Sequence, residues 1–146
     1  MILRHLEVQG FRRFDGPISI DFEADRINII HGPNGTGKST LLTALTLGLL
    51  DTHKAGGKWM EAHRPWGTRL APRIEVIFDQ KGEVFRLSKS FLQGKSAKLE
   101  KLVGKSFRPV AIDTEAEDIV WKKLHACSTK GELQGLARVL WPSIRE

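Results

Sequence analysis

The stretch Ile27-Asn28-Ile29-Ile30-His31-Gly32-Pro33-Asn34-Gly35-Thr36-Gly37-Lys38-Ser39-Thr40 decides how the rest of the chain is read. Gly32 to Ser39 matches G-x-x-x-x-G-K-[ST] at every position. Glycines at 32, 35 and 37 allow backbone conformations closed to other residues and let the chain approach an anion closely. The N–H groups of such a loop form a nest for phosphate oxygens, and a helix starting near Lys38 adds the positive end of its dipole. Lys38 is expected to reach the β- and γ-phosphates, Ser39 to place its hydroxyl on Mg²⁺, and Thr40 to bond near the α-phosphate, with Asn34, Gly35, Thr36 and Gly37 lining the nest. The expected ligand is ATP with Mg²⁺.

The flanks fit that reading. Ile27 to Ile30 is short and mostly apolar, the pattern of a strand buried on both faces. Ser39 to Leu50 carries leucines at 41, 42, 45, 47, 49 and 50 at helix-compatible spacing. Upstream, Ile2–Gln9 and Ile18–Phe22 read as two strands, paired through a turn around Asp15-Gly16-Pro17. Residues 51–68 lack periodicity and read as a long loop with room for one short helix. Ile74 to Asp79 and Val84 to Ser88 alternate around Gln80-Lys81-Gly82, which predicts a hairpin. Two further strands are expected near Ala97–Leu102 and Phe107–Ile112. Thr114-Glu115-Ala116-Glu117 has capping-box spacing ahead of a helix, and a last helix is expected from about Glu132 to Leu140.

Composition narrows the class. The 146 residues suffice for one compact domain. One cysteine, Cys127, excludes an internal disulfide. His31, His53 and His63 have no metal-ligand spacing. No apolar run is long enough to span a bilayer, and Arg4, His5 and Glu7 stand where a secretory apolar segment would begin, so no membrane association and a cytoplasmic location are expected. The net charge is +6, but Lys54 to Arg108 holds 13 basic and five acidic residues. Such a block favours polyanions, nucleic acid among them; a solvated hairpin face with scattered lysines is the alternative. Asp79-Gln80-Lys81-Gly82 matches the D-x-x-G of GTPases, yet lies between alternating strands with no N-K-x-D motif elsewhere. A small kinase would continue into a parallel core instead of hairpins.

The order strand, Gly10-Phe11-Arg12-Arg13-Phe14, strand, then Ile27 to Leu45 resembles the N-terminal half of an SMC-like ABC-type ATPase head, the group of SbcC, the zinc-hook double-strand-break repair ATPases and RecF. Asn34 is typical of that group. Arg64-Pro65-Trp66-Gly67 and Phe85 to Leu92 also look like its bacterial members. The resemblance covers roughly residues 1–140 and is strongest over 1–50. It implies an α/β P-loop NTPase fold: strands, phosphate loop and first helix over 1–50, a basic loop and antiparallel β-hairpins over 51–112, and a helical end over 113–146. It also implies that Arg12 approaches the nucleotide, that Arg13 does so or faces DNA, and that Arg86, Lys89, Lys95 and Lys98 meet the backbone of double-stranded DNA. Trp59 and Trp66 are expected to pack the loop onto the head rather than to stack on bases.

Several family parts are missing from the 146 residues. No hydrophobic run ends in Asp-Glu to hold Mg²⁺ and activate water, and no L-S-G-G-Q-like signature is present, so no residue here is expected to be catalytic. Heptads and a C-x-x-C hook are also absent. Gly135 to Trp141 looks like the approach to a Q-loop, but Pro142-Ser143-Ile144-Arg145-Glu146 follows where the glutamine belongs. The expectation is an N-terminal fragment or truncated frame. Its expected partners are the C-terminal lobe of the same ATPase, a second head and a nuclease subunit. A stand-alone nucleotide- or DNA-binding module without turnover, or a non-functional remnant, is the alternative; an ABC transporter subunit is disfavoured by the Gly10-Phe11-Arg12-Arg13-Phe14 block.

Overall fold

The computed structural model describes residues 1–124, 127–129 and 132–134. Six strands form one antiparallel sheet: β1 (Ile2–Gln9), β2 (Ile18–Asp21), β3 (Arg73–Gln80), β4 (Glu83–Ser90), β5 (Ser96–Val103) and β6 (Ser106–Ile112), in the spatial order β2-β1-β3-β4-β5-β6. From β3 onward each strand pairs with its sequence neighbour, so β3 to β6 is a meander. Only β1 reaches across the chain, pairing Val8 with Ile74 and Leu6 with Val76. Alternation along β3 and β4 is clean because one sheet face is covered there and the other is not. Val8, Ile74, Val76, Phe78, Phe85, Leu87 and Leu99 are buried, while Glu7, Arg73, Glu83 and Lys98 are exposed.

Helix α1 (Lys38–Leu50) lies on the covered face over β1, β3 and β4, and α3 (Asp113–Lys123) lies over β5 and β6. Gly48 lets α1 sit close: a Cβ there would come within 2.8 Å of Ile74 Cγ2. The short α2 (Gly57–Glu61) belongs to the excursion between α1 and β3. A separate two-stranded ladder joins β7 (Cys127–Thr129) to β8 (Glu132–Gln134). No described helix is long and apolar enough to cross a membrane.

Four expectations are corrected. Ile27 to Ile30 is not a doubly buried strand: Ile27 is 91% and Ile29 77% exposed, and no described strand pairs with the segment. A strand exists only against a partner, and no local pattern supplies one. The segment is instead tied back to the preceding turn, with the Asn28 amide donating to the Glu23 and Arg26 carbonyls and accepting from the Glu23 N–H. The turn after β1 is also displaced. Phe11 and Phe14 exchange both backbone hydrogen bonds at 2.9 Å, with Arg12 at φ 51°, so the chain reverses at Arg12-Arg13 instead of Asp15-Gly16-Pro17. Thr114 to Glu117 is no capping box: α3 starts at Asp113 without a side-chain cap, and Glu117 is turned into the core. Finally, Glu132–Gln134 is a strand, not the start of a helix; residues 135–140, and the Q-loop approach with the end after it, lie outside the described residues. The β3–β4 turn does form as a tight hairpin, with Lys81 at φ 56° and Gly82 at 79°.

Candidate phosphate-binding site

The site is the loop entering α1. Gly32, Gly35 and Gly37 have φ of 154°, 81° and 102°. A Cβ on Gly35 would meet nothing within 4 Å, so that side of the loop is open. A Cβ on Gly37 would lie 2.5 Å from Phe14 Cζ and 2.9 Å from Arg13 Cδ. The turn after β1 is therefore packed directly on the last glycine of the loop. The Thr36 hydroxyl donates to the Pro33 carbonyl at 2.9 Å and closes the loop on itself.

At the mouth, Lys38 Nζ donates to the carbonyls of Gly32 and Pro33, each at 2.7 Å. The Leu41 N–H donates to the Gly37 carbonyl and starts the helical ladder. The N–H groups ahead of it have no partner within the helix, as helical geometry dictates. No acidic residue and no side-chain cap sit in the first turn of α1 to offset its positive end. Ser39 is at the helix start, beside Thr40. This donor set fits a polyphosphate: backbone N–H groups, one ammonium, one hydroxyl for a hard cation, and no competing carboxylate. Residues 34–40, expected from sequence to hold phosphate, lie along this loop and the first turn of α1.

Arg12 and Arg13 are both exposed. Arg13 runs alongside Gly37. Arg12 is held through His63, which accepts the Arg12 backbone N–H on its carbonyl at 2.6 Å and lies 3.4 Å from the guanidinium through Nε2. His63 is buried, packs on Phe11 with ring centroids 5.1 Å apart, and contacts the Trp59 carbonyl through Nδ1 at 2.9 Å. Burial lowers its pKa below the usual histidine value; the Trp59 carbonyl opposes the shift and the Arg12 charge adds to it. Neither role is legible in the sequence. Phe14 is visible there only as part of the Gly10–Phe14 block, and His63 carries no local signal.

The expected DNA-facing cations do not act as a set. Lys89 is corrected outright: it lies on the covered face of β4, is 2% exposed, and donates from Nζ to the Asp51 carbonyl at 2.6 Å, with Glu117 Oε1 at 3.4 Å. Glu117 in turn accepts from Thr52 Oγ1 at 3.0 Å and from the His53 backbone N–H. Arg86 and Lys98 share one carboxylate, Glu100, at 2.6 Å each, and the Arg86 guanidinium also stacks 4.3 Å above Phe107. Burial alone would raise the Glu100 pKa; the Lys98 and Arg86 hydrogen bonds outweigh it and hold the carboxyl below its ordinary value. Lys95 is exposed, with Nζ donating to the Lys54 carbonyl at 2.9 Å. Trp66 is corrected as well: it packs on nothing and is 102% exposed.

Beside the loop runs an apolar groove of about 350 Å³, lined by Leu3, Phe22, Ile30, Leu42 and Leu45, with Lys38 and Ser39 at its edge.

Comparison with known proteins identifies the family and supports the fold. Residues 5–120 match the family model described as AAA domain. The chain is 31% identical, over 68% of its length, to the DNA double-strand break repair Rad50 ATPase of Nanoarchaeum equitans. It is 30% identical, over 59%, to the SbcC component of the SbcCD nuclease of Deinococcus radiodurans. It is 28% identical, over 61%, to the chromosome partition protein Smc of Mesomycoplasma hyorhinis. It spans about a tenth of the length of each, the covered share being 10–11%. Among solved structures, the SMC head domain from Thermotoga maritima superposes with a TM-score of 0.51 at 27% identity, over 82% of this chain and 41% of that one. A chain from work on ATP-driven dimerization and DNA-stimulated activation of SMC ATPases superposes at 0.56 with 17% identity, over 85% and 80% of the two, and supports the fold alone.

Proposed function

Because the chain belongs to the AAA-domain family and is similar to Smc, SbcC and Rad50 ATPases, we propose that it is the N-terminal, ATP-binding half of an SMC-like composite ATPase site that works on DNA. The observation that carries this reading is the loop at the α1 N-terminus, open at Gly35 and pinned at Gly37 by Phe14 and Arg13. Residues 34–40 would take the phosphates, with Lys38 on the β and γ groups and the Ser39 hydroxyl on Mg²⁺. Mg²⁺, when bound, offsets the negative charge of the β- and γ-oxygens. Arg13, lying along Gly37, and Arg12, held by His63, extend the positive field beside the loop.

Water activation requires a carboxylate pair that the sequence does not contain, so we assign it to a complementary lobe. The unpaired Ile27–Ile30 backbone and the neighbouring groove are where such a lobe would complete the sheet, and a second head would close the site from the open side. The relatives are named for DNA double-strand break repair, for a nuclease and for chromosome partition; we infer a role of that kind for this chain, in repair with a nuclease partner or in chromosome maintenance, with a cytoplasmic location. The test is MgATP binding by the chain together with its complementary lobe. Lys38→Ala should weaken it by at least about tenfold, the loss of a charge-assisted contact of roughly 1.5–3 kcal/mol. Unchanged affinity in a folded, complemented head would sink the assignment.

A further inference from the structure

Residues 61–70 form a rigid mount for one side chain. Thr68 N–H and the Thr68 hydroxyl both bond to the Pro65 carbonyl, at 3.2 and 3.1 Å, and Gly67 takes φ 76°. This is a β-turn with Trp66 and Gly67 as its central residues. Arg64 clamps the turn from beneath: its Nε lies 2.6 Å from Glu61 Oε2 and its Nη1 donates to the Arg69 carbonyl at 2.7 Å. Pro65 is buried. The C-terminal end is locked as well, since a Cβ on Gly10 would lie 2.6 Å from the Ala71 carbonyl. All of this fixes the backbone, yet the indole it presents touches nothing.

The stretch of chain that carries it is basic. Between Asp51 and Glu75 the only carboxylate is Glu61, which Arg64 occupies, whereas Lys54, Lys58, Arg69 and Arg73 are exposed. A fully exposed aromatic plane on a basic stretch of chain matches a ligand that combines a flat π-face with negative charge. A nucleic-acid strand has both, but in a duplex the base faces are covered by their stacked neighbours. We propose that Trp66 is a stacking platform for an unpaired nucleobase, at a strand end or in a melted segment, with Lys58 and Arg69 supplying phosphate contacts. This rests on the reading that the head works on DNA and specifies the form of DNA it engages.

The test measures binding of the protein to a fluorescent single-stranded oligonucleotide and to a blunt duplex of equal length. Trp66→Ala should weaken single-strand binding by about five- to a hundredfold, as stacking on one base does elsewhere, and Trp66→Phe should restore most of it. Duplex affinity should change less than about twofold, because phosphate contacts dominate there. The melting temperature should not move, since the side chain is wholly exposed. Equal single-strand affinity of wild type and Trp66→Ala, with duplex binding intact, overturns the stacking proposal alone. An equal loss on both substrates, or a loss of ATP affinity in place of single-strand affinity, also overturns it. Failure of the wild type to bind either DNA at low salt overturns the DNA reading with it.

Discussion

Replacing Lys89 with methionine removes a fully buried ammonium from beneath α1 at nearly constant volume. The lysine supplies a charge-assisted hydrogen bond to the Asp51 carbonyl and a countercharge 3.4 Å from Glu117. Removing one partner of a buried ion pair costs about 3–5 kcal/mol, because the other charge stays in the core. Methionine relieves the burial cost of the ammonium, and Glu117 keeps its Thr52 and His53 donors, which places the loss near the lower bound, about 3 kcal/mol. For a domain of this size that is a fall of about 10 °C in Tm. The companion variant is Lys89→Met with Glu117→Gln, in which the amide oxygen still accepts from the His53 N–H, the amide NH2 donates to the Thr52 hydroxyl, and the charge is gone. It should recover to within about 1 kcal/mol of wild type. Urea unfolding at pH 7, followed by tryptophan fluorescence, measures all three proteins. A neutral single variant, or a double variant that loses more than the single, would refute the idea of a coupled buried pair. A second signature is the alkaline pH profile. Burial holds the Lys89 pKa below the ordinary lysine value of 10.5, against the attraction of Glu117. Between the folded value and 10.5 the unfolded chain therefore binds more protons, and this group's contribution to stability rises with pH across that window. Lys89→Met should lose that rise.

Gly37→Ala should abolish MgATP binding while lowering stability by about 2–4 kcal/mol: the backbone is at φ 102° and the new Cβ would strike Phe14; trimming the ring with Phe14→Leu should return part of the stability, and no return would show that the ring is not the obstacle. His63 has a depressed pKa, chiefly from burial, so below about pH 6.5 the unfolded chain takes up the proton first and stability falls with falling pH; His63→Gln should flatten unfolding free energy between about pH 7.5 and 5.5, and identical slopes would count against His63 as the acid-sensitive clasp on Arg12.

What the sequence makes legible is what depends on neighbours in the chain. The glycine-rich turn entering α1 is one such element, because the positive-φ positions 32, 35 and 37 and the helix start at Lys38 are all local requirements. The β3–β4 hairpin is another, because alternation and Lys81-Gly82 determine both strands and turn. The misreadings share a cause. Ile27 to Ile30 has the composition of a central strand but, among the described residues, no strand to pair with, and pairing is a property of two segments. Lys89 looks like a surface lysine by type, although strict alternation from Phe85 through Leu87 puts it on the buried side of β4; its partners, Asp51 and Glu117, lie 38 and 28 positions away in sequence. Glu117 passes for a helix cap because the spacing is right, and only the fold shows it bound to His53 and Thr52. Trp66 is expected to pack because most tryptophans do.

The order of the strands has a kinetic consequence. The meander β3 to β6 can assemble from hairpins alone, each closing a turn of a few residues. Adding β1 requires bringing Gln9 to Arg73, across a chain segment that contains the whole phosphate loop and α1. Closing a loop of that length costs roughly 3–4 kcal/mol of chain entropy before any contact repays it. Topology of this kind favours early formation of the local meander and late arrival of β1. The turn that pins Gly37 comes with β1, so the loop of residues 32–39 takes its final shape among the last events of folding. In pulsed hydrogen exchange, amides of β4 and β5 should gain protection before those of β1.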